Sequence, residues 1–289
     1  MVAWLCPHLW CLLGFRFAST SVPAKPCVRQ STRARSAVLQ FSTGNNRIKV
    51  NTPTRSALME AVGKCLGAQR GFALATLNLD HLVKLRSDAR FADAYAAQDM
   101  VVADGRPIVW LSRLAGQPVE LLPGSDLVLP LCRIAAEKGR TIAMIGSTDV
   151  ALHDAETYLT AAVPGLKVSY VHAPPMGFDP EGDAARTVLH ELEASGAGLC
   201  FVALGAPKQE QLAARGRELA PSVGFASIGA GLDFLGGHQR RAPRLVRSLA
   251  LEWLWRALSS PRRMIPRYAS CFAILPGLTI QALQRRLRR

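Results

Sequence analysis

Leu199-Cys200-Phe201-Val202-Ala203-Leu204 followed by Gly205-Ala206-Pro207-Lys208-Gln209-Glu210 carries a strand, a turn and a helix start in one continuous stretch. The apolar run has the length of a buried strand. Gly205 and Pro207 force a tight turn, and Pro207 suits a first helical turn because it has no N–H to leave unpaired. A strand–turn–helix corner aims backbone N–H groups above the sheet edge, where an anion can bind. Lys208, Gln209 and Glu210 add a cation, an amide and a carboxylate at that corner. A purely structural turn has little use for all three.

Working outward, the same alternation repeats. Strands are expected at Phe72–Thr76, Met100–Ala103, Arg140–Ile145, Lys167–Val171 and Val223–Ile228, and helices at His81–Ala97, Leu127–Lys138, Asp149–Ala162, Ala184–Ser195 and Lys208–Leu219. Strands alternating with helices predict parallel βαβ units, an α/β fold with a Rossmann-like, mostly parallel sheet flanked by helices. Such sheets bind ligands at the carboxyl ends of their strands. Here those ends read Thr76-Leu77-Asn78, Asp104-Gly105, Gly146-Ser147-Thr148 and Gly229-Ala230-Gly231.

The 289 residues allow one large α/β domain with appendages, and a 7% aromatic share suits an aliphatic core. The net charge of +14 sits at the ends. Residues 1–50 contain basic residues and no acid, and from His238 to Arg289 there are twelve Arg and only Glu252 to oppose them. The middle is mildly acidic. That distribution predicts no nucleic-acid partner; it suits a soluble body with a basic attachment for phosphates or an anionic membrane surface. The seven scattered cysteines form no CxxC pair, which fits a reducing cytoplasm without a zinc site, and Cys132 and Cys200 read as core residues.

Three segments follow: 1–45, 46–237 and 238–289. Trp4–Phe17 is apolar but broken by Pro7 and His8, and no charge precedes it as a signal peptide requires. Residues 1–45 are expected to be disordered and without function, either resembling a transit peptide in composition or translated from a start site set too early. Residues 46–237 form the core. In the tail, Arg240, Arg244 and Arg247 share one helical face that continues through Leu251 and Trp255. The run Phe272–Ile280, interrupted by Pro276, is too short to span a bilayer. Basic residues interleaved with Trp and Leu suit a helix lying on a membrane, and equally a docking helix with a solvated Arg face.

The corners read two ways. Asp104 could take a proton from an acceptor hydroxyl, or simply make an Asp-Gly turn. Thr76 and Asn78 could hold a sugar or base, or Asn78 and Asp80 could serve as a helix N-cap. Gly146 and Gly229 mark corners where backbone can approach a phosphate. Neither G-x-G-x-x-G nor G-x-x-x-x-G-K-[ST] is present, and the chain has no Asp-x-Asp, no Gly-x-Ser-x-Gly and no His at ligand spacing. The expectation is therefore metal-independent chemistry with no cofactor, in which cations and N–H dipoles stabilise a leaving diphosphate. The tail's arginines can grip phosphate with two parallel hydrogen bonds.

In order, Thr76-x-Asn78, Ala103-Asp104-Gly105, Gly124-Ser125-Asp126, Gly205–Glu210, Gly229-Ala230-Gly231-x-Asp233-Phe234, Gly237, Arg241-Ala242-Pro243, Glu252-Trp253-x-x-Arg256 and Pro261-Arg262-Arg263 with Arg267 resemble the bacterial WecG/TagA/CpsF glycosyltransferases. That family includes the N-acetylmannosamine transferases of wall teichoic acid and enterobacterial common antigen synthesis. The resemblance runs from about Arg47 to Tyr268; residues 1–45 and the extreme tail, with Pro276 and Arg285–Arg289, depart from it.

The resemblance implies an inverting, UDP-sugar-dependent transferase acting on a polyprenyl-diphosphate-linked saccharide. It would work in surface polysaccharide biosynthesis, in the cytoplasm and peripheral on the inner face of the cell membrane. It implies Asp104 as general base and Thr76 as the active-site threonine, with Gln209 and Glu210 at the sugar-nucleotide pocket. Arg241, Arg256, Arg262, Arg263 or Arg267 would close over the site and bind diphosphate. With these, Asn78, Gly146, Lys208, Gly229 and Asp233 complete the expected substrate-binding set. The donor sugar stays open among N-acetylmannosamine, its uronic acid, glucose and others. Two other classes compete: a Rossmann-type NAD(P) oxidoreductase, opposed by the missing glycine fingerprint, and a non-enzymatic basic membrane adaptor.

Overall fold

The computed structural model describes residues 39–43, 46–235, 237, 246 and 252–288. An antiparallel hairpin, β1 (Leu39–Thr43) and β2 (Asn46–Val50), leads into the main sheet. The chain continues through α1 (Arg55–Gly67), β3 (Phe72–Leu77), α2 (Leu79–Lys84), α3 (Ala89–Ala96), β4 (Met100–Ala103), α4 (Arg106–Leu114) and α5 (Gly124–Glu137). Next come β5 (Ile142–Gly146), α6 (Asp149–Ala162), β6 (Val168–His172), α7 (Asp183–Ala194), β7 (Leu199–Ala203), α8 (Lys208–Leu219) and β8 (Gly224–Ser227). Last are α9 (Gly231–Leu235), α10 (Glu252–Ser259) and α11 (Pro261–Leu287).

Six strands pair in the order β4-β3-β8-β7-β5-β6, all parallel. The expected Rossmann-like α/β class is what the chain adopts. β3, inside the sheet, and β4, at one edge, are buried along their whole length, as parallel strands covered on both faces should be. β6, at the other edge, alternates between partly buried and exposed residues. Side-chain alternation divides the core. Leu74, Met144 and Phe201 face α1, α5 and α6, whereas Ala143, Val202 and Phe225 face α7 and α8. The connection leaving β5 therefore crosses one face and the connection leaving β7 crosses the other. The strand order reverses between these two neighbours, which opens a crevice at their carboxyl ends.

Two local features differ from expectation. The helix expected at His81–Ala97 is two helices, because Asp88 accepts a hydrogen bond from the Phe91 N–H at 2.9 Å and starts α3 anew. Leu39–Thr43, inside the segment expected to be disordered, is a strand paired in register with Asn46–Val50. Its alternate residues Leu39 and Phe41 are buried with Ile48 and Val50.

α11 runs unbroken through Pro266 and Pro276, correcting the expected interruption at Pro276. Both prolines lie on the exposed side of the helix, where a lost backbone hydrogen bond can be replaced by water. The opposite side docks. Leu278 and Ala282 share a core cluster with Leu39, Phe41 and α4, and the Arg285 guanidinium donates to the Gln40 carbonyl. Arg240, Arg244 and Arg247, with their expected shared face, lie outside the described residues.

α8 is seated directly on the sheet. A Cβ at Gly216 would stand 2.3 Å from the Phe225 ring, so only glycine allows this approach without moving the ring. The next residue, Arg217, pairs with Asp99 at 3.0 Å, with side chains 12% and 9% exposed. The same Asp99 oxygen accepts from the Ala73 N–H at 2.9 Å, so one carboxylate ties α8 to the start of β3. Removing one partner of a nearly buried pair leaves the other charge uncompensated. Asp99→Ala should lower unfolding stability by about 3 kcal/mol, measured by urea denaturation; a loss within experimental error would show that this tie does not hold α8 down.

Candidate functional site

The register of the strands aligns the sequence corners on one edge. Leu77 pairs with Ala103, so Asn78 and Asp104 leave the sheet side by side. Leu74 pairs with Ala226, and Val202 with Ser227, which brings Gly229 and Gly205 to the same edge. Asp104 on β4 is three inter-strand spacings from the Gly205 corner on β7, a span of about 14 Å. The Asp104 N–H donates to the Leu77 carbonyl at 2.7 Å, locking the two exits together.

Thr76 lies just below this edge and is buried. Its carbonyl accepts from the Tyr95 hydroxyl at 2.9 Å. That hydroxyl lies 3.1 Å from His81 Nδ1; because its proton goes to Thr76, the ring nitrogen is the donor to it. Burial, followed by the charges of Glu210 and Asp104, raises the Tyr95 phenol well above its usual range and keeps it protonated. Burial also holds His81 down to about 3, against the pull of Asp80, so the imidazole is neutral. A buried His–Tyr strut thus supports the end of β3. Asn78 accepts from the His81 N–H at 3.0 Å and caps α2, which is the structural half of its two sequence readings.

The Gly205–Glu210 corner is less open than the sequence suggests. Successive helical residues point about 100° apart, and the three polar side chains separate accordingly. Lys208 turns to the loop after β6, where its ammonium donates to the Phe178 carbonyl at 2.8 Å. Among the described residues no carboxylate pairs with it. Gln209 is buried; its Oε1 accepts from the Gly229 N–H at 3.0 Å and its Nε2 donates to Glu210 Oε1 at 2.7 Å. Glu210 is fully buried. Burial pushes its carboxyl up to about 7, opposed by the Gln209 hydrogen bond and the Lys84 charge.

Around the crevice the small residues allow backbone to meet backbone. A Cβ at Gly146 would stand 2.6 Å from the Ala203 carbonyl group, so this glycine closes β5 onto β7. A Cβ at Gly124 would stand 2.8 Å from the Ile228 oxygen, which sets the N-terminus of α5 against the end of β8. Ser147 donates to the Asp233 carboxylate and links the β5 corner to α9. Gly146, Gln209, Gly229 and Asp233 therefore form one connected corner.

The tail reaches this edge through Arg267. Its guanidinium pairs with Asp80 of α2 at 2.8 Å. Asp80 also pairs with Lys84 at 3.2 Å, and the Lys84 ammonium donates to the Ala206 carbonyl at 3.0 Å. Asp80, Lys84 and Tyr95 escaped the sequence reading. Asp80 was visible there only as a helix-start residue, although the Asp80–Lys84 spacing is that of an i,i+4 ion pair. Arg262 is exposed at the start of α11. Arg256 and Arg263 lie in α10 and α11, and Arg241 lies outside the described residues.

The Glu210 carboxyl makes stability depend on pH. Between its unfolded value near 4.5 and its folded value of about 7, the unfolded chain has released the proton and the folded chain has not. Stability contributed here falls as pH rises through that window, by roughly 3 kcal/mol in all. Glu210→Gln titrates in neither state. Its unfolding midpoint should gain on the parent protein progressively from pH 5 to pH 8 in thermal denaturation; a constant difference across that range would mean the carboxyl does not titrate as a buried acid.

A family model described as Glycosyl transferase WecG/TagA/CpsF family matches residues 45–289 of this chain.

Proposed function

The chain belongs to the WecG/TagA/CpsF glycosyltransferases, enzymes of cell-envelope polysaccharide synthesis, and we propose that it transfers a sugar from a UDP-sugar to a polyprenyl-diphosphate-linked saccharide with inversion. The observation that carries this reading is the division of labour along one sheet edge. A carboxylate, Asp104, leaves one end. At the other end lie a cation without a carboxylate partner among the described residues, Lys208, and the N-terminus of the twelve-residue helix α8. The separation of about 14 Å, set by strand spacing, suits a donor laid across the edge with its diphosphate at the positive end and its sugar towards Asp104.

Inversion needs one displacement. The acceptor hydroxyl oxygen attacks the anomeric carbon, its proton passes to the Asp104 carboxylate, and the bond to the UDP oxygen breaks with its electron pair. A positioned base of this kind contributes about 10²–10⁴-fold to rate. Thr76 and Asn78, beside Asp104, orient the sugar in this reading. The Gly146–Gly229–Asp233 corner receives the nucleotide. Charge on the leaving diphosphate is met by Lys208, the helix N-terminus and tail arginines including Arg267. No metal step is invoked, because the sequence lacks Asp-x-Asp and supplies arginines instead.

The outer side of α11 supports a peripheral membrane position. Ile265, Phe272, Ile280, Leu283 and Leu287 are exposed at spacings of three, four and seven residues or their sums, forming one apolar stripe. α10 adds exposed Trp253, Trp255 and Leu258. Arg262 and Arg286 are exposed on the same helix. Among the described residues no helix is long and apolar enough to cross a membrane, and an apolar stripe flanked by arginines suits burial at the headgroup boundary. The docked and the membrane-facing readings of the tail are two faces of one helix.

Asp104→Asn should reduce sugar transfer from UDP-sugar to a synthetic lipid-diphosphate acceptor by about 10²–10⁴-fold with little change in donor KM, and EDTA should leave the parent activity intact. Unchanged turnover would remove Asp104 as the base, and loss of activity with EDTA would overturn the metal-free reading. Separately, Ile280→Asp combined with Leu283→Asp should weaken sedimentation with anionic vesicles by roughly tenfold or more while UDP binding persists; undiminished sedimentation would place the membrane contact elsewhere.

A further inference from the structure

Packing alone does not account for an acid at position 210. One oxygen of Glu210, Oε2, is buried with no hydrogen-bond partner among the described residues. An unsatisfied buried carboxyl oxygen is costly, and an apolar side chain of the same shape removes that cost. The other oxygen has a defined task. It accepts from Gln209 Nε2 at 2.7 Å, while Gln209 Oε1 accepts from the Gly229 N–H at 3.0 Å.

A carboxamide is nearly symmetric in shape, so packing does not tell its oxygen from its nitrogen. Here only the oxygen can meet Gly229, because a turned amide would set NH₂ against N–H. The Glu210 oxygen decides the matter by accepting from the NH₂ end. Gln209 is then left with its carbonyl facing Gly229. Gly229 has φ +59° and turns the chain from β8 into α9, which carries Asp233 to Ser147. Gln98 Nε2 donates to the Ala94 carbonyl at 2.8 Å and to the Glu210 backbone carbonyl at 3.2 Å, and neither bond orients the Glu210 carboxyl.

We propose that Glu210 is a positioning residue that fixes the amide orientation of Gln209 and, through it, the Gly229 backbone that shapes the donor corner. It touches no substrate. The effect on donor binding rests on the proposed reading of that corner as the nucleotide site; the brace itself does not.

The test uses the full chain with three variants and two readouts: hydrogen exchange of the Gly229 amide and affinity for UDP. Glu210→Met keeps the volume and removes the acceptor. It should speed Gly229 exchange about tenfold, the factor of one modest hydrogen bond, and weaken UDP binding to a similar degree. Gln209→Met should do the same. Glu210→Gln retains an oxygen for the Gln209 NH₂ and should restore both readouts. The double Met variant should be no worse than either single one, because both cut the same chain. Glu210→Ala replaces Glu210→Met should the longer side chain prevent folding, as judged by near-UV circular dichroism. Parental Gly229 exchange in Glu210→Met, or singles whose effects multiply in the double variant, would overturn the inference. Altered Gly229 exchange with unaltered or absent UDP binding would instead confirm the brace and overturn the nucleotide reading of the corner.

Discussion

Parallel pairing sets Leu77 against Ala103, Leu74 against Ala226 and Val202 against Ser227, and every corner of the candidate site hangs from those rungs. A slip of one residue would turn each side chain to the opposite face. Thr76 would then trade places with Ala75 or Leu77, and Asn78 would no longer leave the sheet beside Asp104. Buried packing on both faces makes such a slip prohibitive, since β3 and β4 have no exposed residue to exchange. Gly216 against Phe225 and Arg217 against Asp99 then fix α8 over the sheet. A site spread over about 14 Å can be held to hydrogen-bond tolerance only by a frame of this kind.

The strands of that frame were legible because parallel strands buried on both faces read as short apolar runs. β3, β4, β5, β7 and β8 appear in the sequence within a residue or two of where they lie. The break between α2 and α3 was not, since Asp88 sits in a pattern that remains helical on both sides and only its hydrogen bond to the Phe91 N–H ends the first helix. The β1–β2 hairpin carried its own signal in Leu39, Phe41, Ile48 and Val50 at alternate positions about Gly44-Asn45. That signal straddles a change in composition and was outweighed by it.

At the site, residue types were legible and directions were not. Lys208, Gln209 and Glu210 are adjacent in sequence, which suggests a shared task. On a helix they diverge, to the Phe178 carbonyl, to the Gly229 N–H and into the core. The functional weight of the corner shifts with them. Its carboxylate is a buried support, its amide is a brace, and only its cation faces a loop at the edge. Asp104, whose Asp-Gly context carried little signal by itself, is set by the register beside Asn78 at the carboxyl edge of the sheet.

Charge along the edge follows from the same placement. Among the described residues Asp80 is the carboxylate that pairs with both Arg267 and Lys84, so these three groups together carry one net positive charge. Lys208 adds another near the same corner. A carboxylate shared between two cations does not neutralise them; it orders them, by holding Arg267 of the tail against α2 and Lys84 against the Ala206 carbonyl. The positive end of the cleft is thereby assembled from two distant parts of the chain. Its field is directed at the edge where α8 also presents its N-terminus. The mildly acidic core and the basic tail, which looked like separate bodies in the sequence, meet at this edge, because Asp80 of the core holds Arg267 of the tail.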